Sequence, residues 1–287
     1  MDIDKIRKEK PIEDLLKFAI INIDKPSGPT SFSVSQYVKK AFNLNKTSHL
    51  GTLDPQVSGV LPIALSRACR LNEYLMHRNK TYVGIMRLHK EISEKELRKV
   101  IEKFIGKINQ LPPVRSRVKR AVRQREVFSF EILEMDEKDV LFETEVQAGT
   151  YIRTICDDVG KEIGGAHMLE LRRTKAGLFD ELESIDLYKF DKIIECWKKG
   201  DDKKLREILI PGEILTKILP CLYIGKQVVK KCYTGSPIFE SFLAGKDILK
   251  KLKEGDKVCV LSDDVLIGVY NFIGKGDLIA KPEFVIN

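Results

Sequence analysis

The sequence predicts an α+β protein in which helices flank a mixed, mainly antiparallel sheet, followed by a small β-barrel-like module. The 287 residues exceed the usual size of one hydrophobic core, so about two domains are expected. Helical and strand-like segments follow one another without a regular βα alternation, which disfavours a doubly wound sheet. Hydrophobic residues make up 43% of the chain and charged residues 32%, as is typical of soluble globular proteins.

The first predicted elements are a buried strand, a loop and a helix. Residues 18–31 read FAIINIDKPSGPTS, an apolar extended segment that is interrupted by prolines and a glycine. This order places Lys25 on the loop between strand and helix. Thr30 or Ser31 can cap the helix. Its apolar face is expected to consist of Val34, Tyr37, Val38 and Phe42.

A second helix is predicted to begin at Ser93, because Glu96 completes a capping box, and to end at Gly106. Its apolar face comprises Leu97, Val100, Ile101, Phe104 and Ile105. The strand-like segments of this part of the chain are TYVGIMRL (81–88), REVFSFEIL (125–133) and VLFETEV (140–146).

A domain boundary is predicted near residue 210, where a charged helical stretch ends at Pro211 and Gly212. We therefore expect a second domain over residues 211–287. Short strands separated by turn residues, typical of a small β-rich barrel, follow the boundary in CLYIG, DKVCVL and VLIGVYNF.

Several classes of protein are excluded by what the sequence lacks. No apolar run approaches the roughly 20 residues that span a bilayer, and the N-terminal segment lacks the apolar stretch of a signal peptide. The six cysteines and four histidines form neither a zinc motif nor a disulfide framework. No glycine-rich phosphate loop is present. The sequence thus predicts a cytoplasmic protein with no metal and no cofactor.

Basic residues exceed acidic ones by 50 to 42, a net charge of +8, and they are concentrated in one run. Residues 115–125 read RSRVKRAVRQR and contain no acidic side chain. The basic residues of this run are Arg115, Arg117, Lys119, Arg120, Arg123 and Arg125. Such a run either faces a polyanion or repels itself in water, so we predict that it contacts the phosphates of a nucleic acid. A solvated surface that binds nothing is the alternative.

Asp54 stands out because it lies between Leu53 and Pro55 in the segment HLGTLDPQVSGVLP (49–62). The following proline keeps its backbone out of a helix, so the carboxylate is expected on a loop among apolar residues. Asp-Pro is also common in ordinary turns, which is the alternative explanation.

Five segments follow the motif order of the TruB/dyskerin family of RNA pseudouridine synthases, which this sequence resembles over some 155 residues. They are NIDKPSGPTS (22–31), HLGTLDPQVSGVLP (49–62), KTYVGIM (80–86), AGTYIRTICDDVG (148–160) and GAHMLELRRTKAG (165–177). The leader and KRAVRQREV (119–127) are similar to the archaeal dyskerin homologues, the catalytic subunits of box H/ACA ribonucleoproteins.

The resemblance implies three parts of the chain. Residues 1–17 would be an N-terminal extension that packs on a PUA RNA-binding domain formed by residues 211–287. Residues 18–210 would form the pseudouridine synthase domain.

The resemblance also implies that Asp54 is the catalytic aspartate. The reaction breaks the bond between ribose C1′ and uracil N1, turns the base and rejoins it through C5, with no exchange of electrons or atoms with a cofactor. It needs one ionised carboxylate beside the sugar and a uridine outside its helical stack. We therefore expect Asp54 in a pocket that excludes water, beside a permanent cation that keeps it ionised.

By the same resemblance, Arg153 is that cation and Tyr82 stacks on the flipped base. A guanidinium stays charged when desolvated and offers a planar fork to a carboxylate. The alternatives are an exposed helix arginine and a tyrosine in the core of a sheet.

Three further residues match family positions. Leu171 would line the uracil pocket, and Lys25, with the following proline, would buttress the catalytic loop, although both also fit ordinary core or solvated positions. His49 would lie near the RNA-entry side. Ser48 and Leu50 flank this histidine where archaeal relatives often carry glycine, so we expect a stiffer loop.

The substrates and partners implied are RNA and ribonucleoprotein subunits. The family modifies the T-loop uridine of tRNA without a guide, and modifies rRNA when a box H/ACA guide RNA and small protein subunits select the site. A noncatalytic PUA-containing RNA-binding scaffold is the alternative from another class. An RNA methyltransferase is disfavoured because no glycine-rich cofactor loop is present.

Overall fold

The computed structural model describes residues 1–112 and 119–286. The helices are α1 (Ile3–Glu9), α2 (Ile12–Lys17), α3 (Ser31–Ala41), α4 (Asn72–Met76), α5 (Glu94–Glu102), α6 (Ile152–Ile163), α7 (Leu187–Lys198), α8 (Lys203–Ile208) and α9 (Val229–Tyr233). Within these described ranges, no helix has both the length and the apolar character needed to cross a membrane.

The strands are β1 (Ala19–Lys25), β2 (Thr47–His49), β3 (Ser58–Leu65), β4 (Lys80–Leu88), β5 (Gly106–Gln110), β6 (Arg123–Asp136), β7 (Asp139–Val146), β8 (Ala166–Ala176), β9 (Phe179–Asp180), β10 (Ile185–Asp186), β11 (Leu209–Pro211), β12 (Cys221–Tyr223), β13 (Ile238–Phe239), β14 (Lys257–Ser262), β15 (Val265–Lys275) and β16 (Leu278–Val285).

The chain divides into two compact units, of which Ala19–Leu209 is the larger. Its sheet follows the order β10-β1-β3-β8-β4-β7-β6-β5, with β2 beside β3 and β9 beside β8. Strand β4 is antiparallel to both β7 and β8, whereas β3 and β8 run parallel. The predicted α+β class with a mixed, mainly antiparallel sheet is confirmed.

Helix α5 follows its sequence signals at the start and departs from them at the end. Ser93 is the N-cap, and its capping box with Glu96 is complete. Leu97 and Ile101 are buried, as predicted. The helix ends at Glu102, short of the predicted Gly106, so the prediction is wrong for Ile105, which is exposed. The chain has left the helix at that point, and the 3.6-residue period no longer directs the side chain inward.

Helix α3 also begins where its signals indicate, with one side chain turned outward. Thr30 is the N-cap and accepts a hydrogen bond from the backbone N–H of Ser33 at 3.0 Å. Tyr37, which the sequence predicts on the buried face, is 42% exposed. Its hydroxyl donates to Asp191 at 2.6 Å, which holds the ring at the surface. Lys25 is the last residue of β1 rather than part of the loop that follows.

The second unit consists of Met1–Phe18 and Ile210–Asn287, described to residue 286. Its sheet has the order β12-β14-β15-β16-β13 and curls over a core that includes Val258, Ile267 and Tyr270. The Lys10 ammonium pairs with the buried Glu213 carboxylate at 2.8 Å within this unit. The small β-barrel-like module is confirmed. The division at residues 17 and 210 and the role of each part remain predictions.

Candidate active site

Asp54 lies on the loop between β2 and β3, one residue after the buried Leu53. The backbone N–H of Val57 donates to the Asp54 carbonyl at 3.0 Å, which closes a tight turn. Asp54 therefore does occupy a turn, as Asp-Pro often does. Two features distinguish this turn: the residues that hold it in place, and the group that contacts the Asp54 carboxylate.

The segment from the end of β1 to the start of α3 holds the turn on both sides of Asp54. Ser31 is buried, and its hydroxyl donates to the Leu53 carbonyl at 3.0 Å while accepting from the Leu53 N–H at 2.8 Å. The fully buried Lys25 donates to the carbonyls of Pro55, at 2.9 Å, and Pro26, at 2.8 Å. The bonds to Leu53 and Pro55 lie on either side of Asp54, so they restrict where its carboxylate can lie.

The surroundings of Lys25 shift the pKa of its ammonium in opposite directions. Burial lowers the pKa of its ammonium, the nearby Arg173 guanidinium lowers it further, and the Asp54 carboxylate raises it. Two carbonyl acceptors compensate part of the lost hydration. Lys25 thus supports the loop and also places a positive charge beside the carboxylate.

The Arg153 guanidinium meets the Asp54 carboxylate directly, with Nη2 donating to Oδ2 at 2.8 Å. Arg153 is the second residue of α6, 99 positions away in sequence. The expected exclusion of water is not found in the protein alone, since the side chains of Arg153 and Asp54 are 48% and 56% exposed. The pair lies where a surface loop meets the start of a helix, so solvent reaches both charged groups.

One face of strands β4 and β8 carries the aromatic and apolar residues predicted for the site. Tyr82 pairs with Arg173 across the two strands, and Gly84 pairs with Leu171. Tyr82, Leu171 and Arg173 are all buried. The absence of a side chain at Gly84 leaves room for Leu171, whose Cδ1 would lie 2.8 Å from an added Cβ.

Arg173 connects this sheet face to the ends of the Asp54 loop. Its Nη2 donates to the Gly51 carbonyl at 3.1 Å and its Nε to the Val60 carbonyl at 2.8 Å. Burial lowers the pKa of this guanidinium, and its interaction with Tyr82 opposes that effect. The two ends of the loop are therefore attached to the strand that also carries Leu171.

His49 lies at the start of the loop, where its Nε2 is 3.1 Å from the Thr52 hydroxyl. The neighbouring Leu50 is buried, and the Ser48 hydroxyl accepts from the Asn72 amide at 2.6 Å. The side chains of Ser48 and Leu50 thus attach this part of the chain to the rest of the protein, which glycine, having no side chain, could not do.

The basic run is only partly described. Arg115 and Arg117 lie outside the described residues. Lys119 and Arg120 are exposed, whereas Arg123 and Arg125 stand half-buried at the start of β6. The Arg125 guanidinium lies against Gly149, just before α6, with its Nε 3.3 Å from an ideal Cβ there.

Two residues that contribute to this geometry are not identified by the sequence patterns. Ser31 is predicted only as a helix cap, although it shares a helix face with Val34 and Val38, and a small polar residue on a buried face signals a hydrogen bond. Arg173 carries no local signal, because its partners Gly51 and Val60 are distant in sequence.

Family profiles match consecutive parts of the chain. The profile of TruB family pseudouridylate synthases (N-terminal domain) matches residues 39–95 and 89–152, and that of the tRNA pseudouridylate synthase B C-terminal domain matches residues 153–217.

Curated relatives and solved structures are similar over nearly the whole chain. A probable tRNA pseudouridine synthase B of Thermococcus onnurineus (strain NA1) is 44% identical over 281 residues, covering 96% of this chain and 84% of the relative. A crystal structure of a Cbf5-Nop10-Gar1 complex has a TM-score of 0.87 at 37% identity, covering 97% of this chain and 88% of that one. An H/ACA RNP bound to a substrate RNA containing 2'-deoxyuridine has a TM-score of 0.86 at 35% identity, covering 98% and 89%.

Proposed function

The chain belongs to the TruB family of pseudouridine synthases, and on this premise we propose that Asp54 is the carboxylate with which it isomerises uridine in RNA. The observation that carries the proposal is the 2.8 Å contact between Asp54 and Arg153 on a loop held from both sides. A carboxylate that is exposed, ionically paired and conformationally restricted is equipped to meet a nucleoside.

The chemistry requires few groups. The C1′–N1 bond breaks, the base turns and a C1′–C5 bond forms. The hydrogen at C5 leaves as a proton and N1 takes up a proton, so the product is an isomer of the substrate. The Asp54 carboxylate acts on the sugar or base as nucleophile or general base. Tyr82 stacks on the extruded uracil and Leu171 lines its pocket, so that they offset part of the few kcal/mol that base extrusion costs.

Arg153 keeps the carboxylate ionised when RNA covers it. In the protein alone the pair is half exposed, and water screens its attraction. An extruded uridine displaces that water, which lowers the local dielectric constant and strengthens the attraction between the two charges. The same displacement disfavours a lone carboxylate, so the cation matters most when substrate is bound.

We further propose two classes of substrate. The relatives named tRNA pseudouridine synthase B support the T-loop uridine of tRNA (psi55). The structures named as a Cbf5-Nop10-Gar1 complex and an H/ACA RNP bound to a substrate RNA support rRNA, with a box H/ACA guide RNA and small protein subunits as partners. This second role would connect the enzyme to ribosome biogenesis. The cytoplasmic location expected from the sequence remains a prediction.

Tritium release from RNA labelled at uridine C5 tests the proposal, with tRNA or guide-paired RNA as substrate. We expect Asp54→Asn to bind RNA and to release no measurable tritium, because an amide is neither a competent nucleophile nor a base. Asp139→Asn is a matched control, since Asp139 also pairs with an arginine, Arg87, at a partly exposed site. We expect this control to release tritium at the wild-type rate.

Two outcomes would contradict the proposal. Equal release by wild type and Asp54→Asn would remove Asp54 from the chemistry. RNA binding without release by the wild type, with its guide and protein partners supplied, would favour a noncatalytic RNA-binding scaffold.

A further inference from the structure

Gln110, the last residue of β5, makes a double contact with the backbone at the start of α6. Its amide Nε2 donates to the Tyr151 carbonyl at 3.0 Å, and its Oε1 accepts from the Tyr151 N–H at 3.0 Å. The residue is only 3% exposed, so water does not compete effectively for these bonds. One side chain therefore binds both main-chain polar groups of a single residue, 41 positions away.

Tyr151 is the residue at which α6 begins. It is the N-cap, and its own side chain makes no capping hydrogen bond. Serine, threonine or aspartate at that position would ordinarily fix a helix start by a local hydrogen bond. In this protein Gln110 bonds the N–H and the carbonyl of the N-cap residue itself, and thereby fixes the helix start relative to the sheet.

The preceding turn is also attached to the sheet. The Gln147 N–H donates to the Glu126 carbonyl of β6 at 2.8 Å, and the Thr150 hydroxyl donates to the Gln147 carbonyl at 2.8 Å. The chain between β7 and α6 is thus held at both of its ends, and Gln110 provides the attachment at the helix end.

We propose that Gln110 is a positioning residue for the isomerisation, acting by placing the start of α6 so that Arg153 reaches Asp54. This inference rests on the proposed roles of Asp54 and Arg153. The Arg153 side chain is half exposed, so packing contributes little to its position. Its guanidinium can approach Asp54 to 2.8 Å only if the main chain two residues after Tyr151 is correctly placed. A misplacement of about 1 Å at a reactive centre can reduce a rate by about 100-fold.

The first test compares Gln110→Met with the wild type. Methionine keeps the length and volume of glutamine but forms neither bond. We expect the single-turnover rate of tritium release at saturating protein to fall by roughly 10- to 100-fold, with little change in the dissociation constant for RNA. Asn22→Leu is the matched control, because Asn22 is a buried amide that donates to a distant main-chain carbonyl, that of Asp180, at 2.8 Å.

The control separates positioning from stability. Both variants should show lowered melting temperatures, since Gln110→Met loses two buried hydrogen bonds and Asn22→Leu loses one. Only Gln110→Met should lose rate. Equal loss of rate in the two variants would assign Gln110 a structural role and overturn the proposal.

A double-mutant cycle tests whether Gln110 acts through Arg153. In an Arg153→Lys background the optimal arginine contact is already gone, so Gln110→Met should cost much less than in the wild type. The same fold loss in both backgrounds would overturn the proposal. If Gln110→Met does not fold, Gln110→Asn serves instead, because the shorter amide cannot reach both Tyr151 groups and should still lose rate. Full activity of Asp54→Asn in the same assay would instead contradict the proposed function on which this inference rests.

Discussion

The contact between Asp54 and Arg153 contributes little to the stability of the fold and more to the proposed reaction. Exposed ion pairs contribute about 0 to 1 kcal/mol to folding, and this pair is half exposed on both sides. Lys25 and Ser31, which hold the adjacent loop, are by contrast buried and bonded to main-chain groups. The buried residues provide rigidity, and the exposed pair provides charge at the place where RNA is proposed to bind.

Lys80 is the residue whose ionisation should be visible in the pH dependence of stability. Its ammonium is buried and donates to the Met76 and Arg78 carbonyls. Burial first, and the Arg173 charge second, lower the pKa of Lys80 from 10.5 to about 7. Between these pH values the unfolded chain binds more protons than the folded one, so the stability contributed by this residue rises with pH.

The measurement is the difference in melting temperature between wild type and Lys80→Met from pH 7 to 10. We expect the wild type to gain stability relative to the variant as the pH rises. Comparison with the variant removes the effect of other groups that titrate in this range. A difference that does not change with pH would mean that Lys80 stays protonated in the folded protein.

At the scale of elements, the junction of β3 and β8 supports the Asp54 loop. Gly59 pairs with Arg173 across these parallel strands and has a φ of +102°. A Cβ at this position would lie 2.2 Å from the Arg173 carbonyl oxygen, which is main chain and cannot rotate away. Glycine is therefore required both for its backbone angle and for the close approach of the two strands.

We expect Gly59→Ala to destabilise the fold by more than about 2 kcal/mol, because backbone strain and a main-chain clash combine. Gly200→Ala is the control, since Gly200 has a similar φ of +96° but nothing within 4 Å of an added Cβ. Thermal unfolding of the two variants separates strain from clash. Equal losses would show that the strands can move apart without cost.

Helix starts and strand segments follow local signals, whereas their ends and contacts do not. The capping box at Ser93 and the alternation in β4 predict those elements correctly. The end of α5 is not predicted, because Val100, Ile101, Phe104 and Ile105 continue the helical period although the chain turns after Glu102. Tyr37 points outward because its hydroxyl bonds to Asp191, 154 positions away.

At the scale of the whole molecule, the net charge of +8 and the basic run predict salt-dependent RNA binding. The double variant Lys119→Ala, Arg120→Ala should lower the slope of log affinity against log salt by about 0.7 to 0.9 for each phosphate that is no longer neutralised. The double variant Lys95→Ala, Lys99→Ala on α5 removes the same charge elsewhere and should leave the slope unchanged. Equal changes in both would indicate an effect of net charge alone.

From the sequence alone one could predict the fold class, the family and the candidate residues Asp54, Arg153 and Tyr82, because caps, periodicity and motif order are properties of neighbouring residues. Only the tertiary structure revealed that Arg153 meets Asp54 at 2.8 Å, that the pair is open to solvent, and that Gln110 holds the start of α6. These facts depend on which strands pair and how closely. Partners 41 and 99 positions apart are brought together by sheet topology, which no local pattern encodes.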